Sequence, residues 1–264
     1  MSPFRPLAFA VVAALALPAA AAATSFAVLL QADYRSAANK ARDKYRNPAE
    51  TLTFFGIKPT MSVVEVSPSG GWYTEILAPY LKDKGTYYAA HNNPAASERA
   101  AKSVEGFRTK LASNPVFANA KVTAFGKGVY EIAPAGTADA VLTFRNVHNW
   151  YSNGFAPDAF KAFATALKKG GTLGVVEHRL PEDKPDDMQM KSGYMKRSTV
   201  VKLAEDAGFR LVSESKVNAN PKDTHDYPKG VWTLPPNYAE GDTDRAKYAA
   251  IGESDRMTLK FVKR

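Results

Sequence analysis

The stretch Ser62–Leu77, "SVVEVSPSGGWYTEIL", decides the fold. Val63, Val64 and Val66 make a short β-branched run of the kind that forms a buried strand. Pro68, Ser69, Gly70 and Gly71 are turn formers. Trp72 to Leu77 then opens a helical pattern. In an open parallel sheet, ligands bind beyond the C-terminal ends of the strands, where the strand order reverses, and the first strand–helix turn lies there. A dinucleotide loop needs G-x-G-x-x-G, whose third glycine lets the helix pack close to the strand. Counted from Ser67, that position is Trp72, which disfavours a nicotinamide oxidoreductase. The spacing present is Ser67, Ser69, Gly71. Pro68 predicts an extended Ser67 and a turn that begins without positive φ. Gly70 and Gly71 then supply the backbone freedom, and Ser69 is free to cap the helix.

Strands and helices alternate outward from this stretch. Strands are expected at Thr86–Ala90, Lys121–Ala124, Ala140–Phe144, Thr172–Glu177, Arg210–Ser213 and Thr258–Lys263. Helices are expected at Trp72–Leu81, Ala96–Ala112, Pro157–Leu167, and from an N-cap at Ser198 to Gly208. This order implies βαβ units, a parallel sheet and right-handed crossovers. Ahead of it, Ala32–Lys44 reads as a polar helix, and Pro48 to Gly56 as a short helix with suitable ends. The segment Asn218–Arg256 is long and rich in Pro, Asp, Tyr and Gly, with one helix-like run at Thr243–Ile251. Loops of this length are usually functional or disordered. Its aromatic–proline clusters, "DYPKG" and "VWTLPPNY", argue for an ordered flap.

The chain has 264 residues, 45% apolar and 23% charged, which suits one α/β domain. It begins "MSPFRPLAFAVVAALALPAAAAAT": a positive Arg5, an apolar run and small residues, the layout of a secretory signal cleaved near Ala21 to Ala23. A periplasmic or secreted protein is therefore expected, with no stable membrane insertion after cleavage. With no cysteine, thiolate nucleophiles, thiolate metal sites and disulfides are excluded. The net charge of +9 is spread along the chain, without a basic tract interleaved with aromatics, so nucleic acid is not an expected partner.

The sequence resembles class I S-adenosylmethionine-dependent methyltransferases, specifically an exported bacterial subgroup of predicted methyltransferases. The resemblance runs from "RNPAETLTFFGIKP" through "GWYTEILAPYL" to "AIGESDRMTLKF". It implies an α/β, Rossmann-like class I methyltransferase fold: a seven-stranded, mostly parallel sheet with an antiparallel last strand inserted at one edge, and helices on both faces. The expected division is a signal at 1–23, an N-terminal helical segment at 24–60, and a methyltransferase-like domain at 61–264 carrying the insertion 218–256.

The resemblance also implies S-adenosylmethionine as cofactor. Glu65 falls on the acid that helps hold the methionine end. Ser67, Ser69 and Gly71 fall on the glycine positions, with Gly70 beside them. Strand two ends in His91, Asn92 and Asn93, where the family usually carries an acid for the ribose hydroxyls. "AFGKG" stands after strand three, where an acid near the adenine is usual. Arg145 is a candidate anion contact grouped with the cofactor residues.

His148 and His178 follow strands four and five, which are neighbours in this fold. With Glu177 they can meet at the cofactor edge, where a histidine can act as general base near neutral pH. His225, between Asp223 and Asp226, is of a type that suits a divalent cation, but the spacing matches no ligand motif and no metal is expected. Trp72, Tyr73, Trp150 and Tyr151 are candidate pocket walls. The expected function is methyl transfer to a small-molecule substrate. The alternative is an exported small-molecule-binding protein that keeps the fold without methyl transfer.

Overall fold

The computed structural model describes residues 25–264, so the expected signal lies outside the described residues. No described helix is long and apolar enough to cross a membrane. The strands are β1 (Ser62–Val66), β2 (Thr86–Asn92), β3 (Ala120–Phe125), β4 (Ala138–Phe144), β5 (Leu167–Leu180), β6 (Met195–Lys196), β7 (Phe209–Ser215) and β8 (Arg256–Lys263). The N-terminal segment holds helices α1 (Phe26–Gln31), α2 (Ala37–Lys40), α3 (Asp43–Arg46) and α4 (Pro48–Phe55). The domain adds α5 (Thr74–Leu81), α6 (Glu98–Ala112), α7 (Val147–Ser152), α8 (Ala156–Ala166), α9 (Met188–Lys191), α10 (Arg197–Asp206) and α11 (Arg245–Ile251).

The sheet order is β3-β2-β1-β4-β5-β8-β7, with β6 pairing β5 off this path. β3 through β5 run parallel, and β8 runs antiparallel to both β5 and β7. The last strand therefore sits one place in from the edge. The chain leaves β1 on one side towards β2 and β3, then returns to β4 on the other. That reversal puts a crevice at the C-terminal ends of β1 and β4.

Both faces of the sheet are buried. Val64, Val66, Val141 and Leu173 join α8 and α10 in one core cluster. Val63, Ala140 and Leu142 join α4 and α5 in another. Strand pleating puts Glu65 on the same face as Val63, so its carboxylate is buried. Gly174 of β5 is required by a close approach: a Cβ there would lie 2.7 Å from Leu142 and 2.8 Å from the Phe55 ring of α4.

Several expected elements shift. The polar helix Ala32–Lys44 is two one-turn helices. Ser36 caps α2 through the backbone N–H of Asn39, and the left-handed Asn47 separates α3 from α4. Ser198 is not an N-cap: α10 starts at Arg197, and the Ser198 hydroxyl donates to Glu182 instead. Residues after β4 form α7, which the sequence pattern did not indicate.

Candidate functional site

The loop after β1 departs from the expected geometry at its first residue. Ser67 has φ 54 and Ser69 φ 55, so both serines adopt the left-handed backbone that glycine adopts freely. Pro68 does not hold Ser67 extended. Gly71 is also left-handed, at φ 77, while Gly70 is not. The Ser67, Ser69, Gly71 spacing thus marks three left-handed positions in one turn. Each serine costs about 1–2 kcal/mol relative to an ordinary backbone conformation, and strain of this kind collects at functional sites. Ser69 caps nothing: α5 begins at Thr74 behind Tyr73, with no side-chain cap.

Side chains from three other elements hold the loop by its carbonyls. Lys110 of α6 donates to Gly70 O at 2.8 Å. Asn146, after β4, donates to Val66 O at 3.2 Å. His91 of β2 meets Ser69 O at 3.0 Å through Nε2, while its Nδ1 accepts the Asn92 N–H at 2.8 Å. That pairing puts the His91 proton on Nε2. Burial lowers the His91 pKa below its usual value, so it is a neutral brace beneath the loop with both ring nitrogens engaged. The N–H groups of Ser69 and Gly70 have no acceptor among the described residues.

A cleft of about 480 Å³ opens beside this loop, a size ordinary for small-molecule sites. Its floor includes Glu65, Ser67 and Ser69; one wall holds Arg145, His148 and His178. The flap supplies Val231, Trp232, Pro235, Pro236 and Asn237. The N-terminal segment contributes Arg42 and Arg46, which the sequence reading missed. A second cleft of about 420 Å³ continues past Ser67, Ser69 and Asn146 to Asn92, Phe125, Gly126 and Trp150. Of the strand-two residues, then, Asn92 faces the open space and His91 does not. Trp72 and Tyr73 line the first cleft, Trp150 the second, and Tyr151 neither.

Glu65 accepts hydrogen bonds from the Tyr87 hydroxyl at 2.5 Å and the Thr74 hydroxyl at 3.1 Å. Burial raises its pKa to about 7 despite these bonds. At neutral pH it is poised to ionise when a cation arrives.

The two histidines meet as expected, with ring centroids 5.3 Å apart. Glu177 is completely occupied. Its Oε1 faces His148 Nδ1 at 3.0 Å and accepts the His178 N–H at 2.7 Å. Its Oε2 accepts the N–H groups of Val147 at 2.6 Å and His148 at 3.3 Å. Both Glu177 oxygens already accept backbone N–H groups, so Glu177 faces the ring as an acceptor: His148 carries a proton on Nδ1 and turns Nε2 to the cleft. His178 Nδ1 lies 2.5 Å from the Ser254 hydroxyl. Burial above all holds the His178 pKa well below the usual histidine value, so His178 is neutral. His148, Glu177 and His178 also form the one group among the described residues compact enough to hold a metal ion. The Glu177 carboxylate, however, is already spent on N–H donors.

His225, Asp223 and Asp226 do not reach the cleft. Asp223 accepts from the Tyr194 hydroxyl at 3.1 Å and from the Asp255 N–H at 2.7 Å, while Asp226 is exposed. This group braces the base of the flap. Gly230 pins the flap higher up: Val231 N–H donates to Ser192 O at 2.8 Å, and the Gly230 backbone lies against Ser192 where no Cβ fits.

No family model and no curated protein matches the sequence. Solved structures do. A SAM-dependent methyltransferase from Aquifex aeolicus is 16% identical, with a TM-score of 0.56, over 85% of this chain and 93% of that one. The cyclase SpnF is 15% identical, with a TM-score of 0.57, over 88% and 84%. The mitomycin 7-O-methyltransferase MmcR is 15% identical, with a TM-score of 0.50, over 91% and 61%. At these identities the likeness concerns architecture, and one of the three is a cyclase, so the shared fold does not fix the reaction. The chain has the fold of class I S-adenosylmethionine-dependent methyltransferases.

Proposed function

We propose that the protein is an exported S-adenosylmethionine-dependent methyltransferase acting on a small molecule. The observation that carries this reading is the pairing of a Glu177-oriented His148 with the left-handed serine loop across one cleft. The residues present fit the cofactor. Glu65 suits the ammonium of its methionine end, the free N–H groups of Ser69 and Gly70 suit its polar atoms, and Asn92 is the amide available to its ribose. When bound, S-adenosylmethionine supplies a sulfonium-activated methyl group. His148 Nε2 is placed to take the proton that an acceptor hydroxyl or amine loses. Neutral His178 adds no competing charge beside it. Trp232 and the flap cover the cleft, which favours alignment and exclusion of water.

The withdrawal of His91 and the absence of an acid at the end of β2 favour the alternative, a binding protein on the same fold. Methyl-labelled S-adenosylmethionine separates the two. The protein is incubated with it and a small-molecule extract, and the label is followed by mass spectrometry. Methyl transfer puts label into a small molecule, and His148→Asn removes most of it. Cofactor binding with no label leaving it contradicts the enzyme reading.

A further inference from the structure

Four arginines meet at one side of the cleft around a single carboxylate. Glu253 Oε1 lies 2.7 Å from Arg42 Nε, and its Oε2 lies 3.1 Å from Arg46 Nε and 3.2 Å from Arg256 Nη1. Burial opposes ionisation of Glu253, but Arg256 and its neighbours bring its pKa down to about 2. The fourth arginine, Arg145, has no ion pair and no side-chain hydrogen bond among the described residues. It is half-buried, its nitrogens are not sealed from solvent, and it faces the cleft.

Arg145 is costly in three ways. Its backbone is left-handed, at φ 61, which an L-residue with a long side chain adopts only under constraint. Its charge is partly desolvated. Glu253 attracts it from beyond ion-pair distance, while Arg256 and Arg42 repel it. An unpaired, partly buried charge does not stabilise a fold. Its position makes sense for an anion that arrives from outside. The planar fork of a guanidinium matches a carboxylate or phosphoryl group, and its charge persists at neutral pH. Arg46, paired to Glu253, lines the same cleft and is held in place: it is 3% exposed, and its guanidinium lies 4.6 Å from the Trp72 ring centroid.

We propose that Arg145, backed by Arg46 and Arg42, binds the acidic group of the substrate, so that the acceptor is a small organic acid bearing a carboxylate or phosphoryl group. The acceptor role rests on the methyl-transfer reading; the anion site does not. Of the acids facing this space, Glu253 is spent on arginines, and Glu65 is held by Tyr87 and Thr74 on the loop side. The cofactor brings one carboxylate of its own, for which one guanidinium suffices. Phe144 and Trp232 line the same cleft and suit an aromatic or apolar body.

The test is calorimetric titration of the protein, saturated with S-adenosylhomocysteine, at constant ionic strength. Benzoate and phenyl phosphate distinguish the two acid types, and benzyl alcohol is the neutral control. At least one anion is expected to bind and the alcohol to give no heat. Arg145→Gln should weaken the anion by about tenfold or more, leave S-adenosylhomocysteine within about twofold, and not lower the thermal midpoint, because it removes an unpaired charge. Arg145→Lys should recover part of the anion affinity. The proposal is overturned by no heat from either anion, by equal binding of the alcohol, or by unchanged anion affinity in Arg145→Gln. It is overturned too if Arg145→Gln loses S-adenosylhomocysteine instead, which would give Arg145 to the cofactor. A protein that takes no S-adenosylhomocysteine but binds the anion through Arg145 loses the methyl-transfer reading and keeps the anion site.

Discussion

His148 Nδ1 lies 3.0 Å from Glu177 Oε1, and the same carboxylate gathers the N–H groups of Val147, His148 and His178. One acid therefore fixes both the backbone that carries the histidines and the tautomer of His148. The Glu177→Gln variant turns an amide N–H₂ towards N–H donors. Imidazole nitrogen NMR should show wild-type His148 protonated at Nδ1 and a mixture of tautomers in the variant. Stability should fall by about 1–3 kcal/mol, the usual cost of an unsatisfied buried polar group. An unchanged His148 spectrum would remove Glu177 from the site.

The strained serines predict the opposite sign. Ser67→Gly and Ser69→Gly each relieve about 1–2 kcal/mol of left-handed backbone cost and lose about 0.5–1 kcal/mol through the looser unfolded chain. Each should leave stability equal to wild type or higher by about 1 kcal/mol. Thermal unfolding reads the difference. A clear loss in either variant would mean that its hydroxyl, not its backbone, matters to the fold.

Glu65 gives a pH dependence whose direction is fixed. Its folded pKa is about 7 against 4.5 for a free glutamate. The stability contributed by the protonated carboxyl is fully present below pH 4.5 and is lost as pH rises through about 7. Glu65→Gln has no such loss. It should be more stable than wild type above pH 7, by on the order of 3 kcal/mol, with the difference vanishing below pH 4.5. Urea melts across this range measure it. Parallel curves for the two proteins would contradict a buried, protonated Glu65.

The strand–helix alternation was legible because hydrophobic period and turn residues agree along most of the chain, and because Glu65, the loop spacing, His148 and His178 sit at strand ends. The loop conformation was not. A proline at 68 argues locally for an extended Ser67, but Lys110, Asn146 and His91 grip the loop carbonyls and impose a left-handed turn. Ser198 followed the local capping rule and was overruled by Glu182, sixteen residues away. The arginine cluster draws on the N-terminal segment, the end of β4 and the start of β8, which no local pattern joins. Its one local trace was the four-residue spacing of Arg42 and Arg46.

Calorimetric titration with S-adenosylhomocysteine tests most directly whether the serine loop and Glu65 seat an adenosyl cofactor. Binding of one molecule per chain is expected, tightening as pH rises from 6 to 8, because ionised Glu65 pairs with the cofactor ammonium. Glu65→Gln should weaken binding and flatten that pH dependence. No heat at millimolar ligand, or binding that Glu65→Gln leaves intact at every pH, would contradict the account.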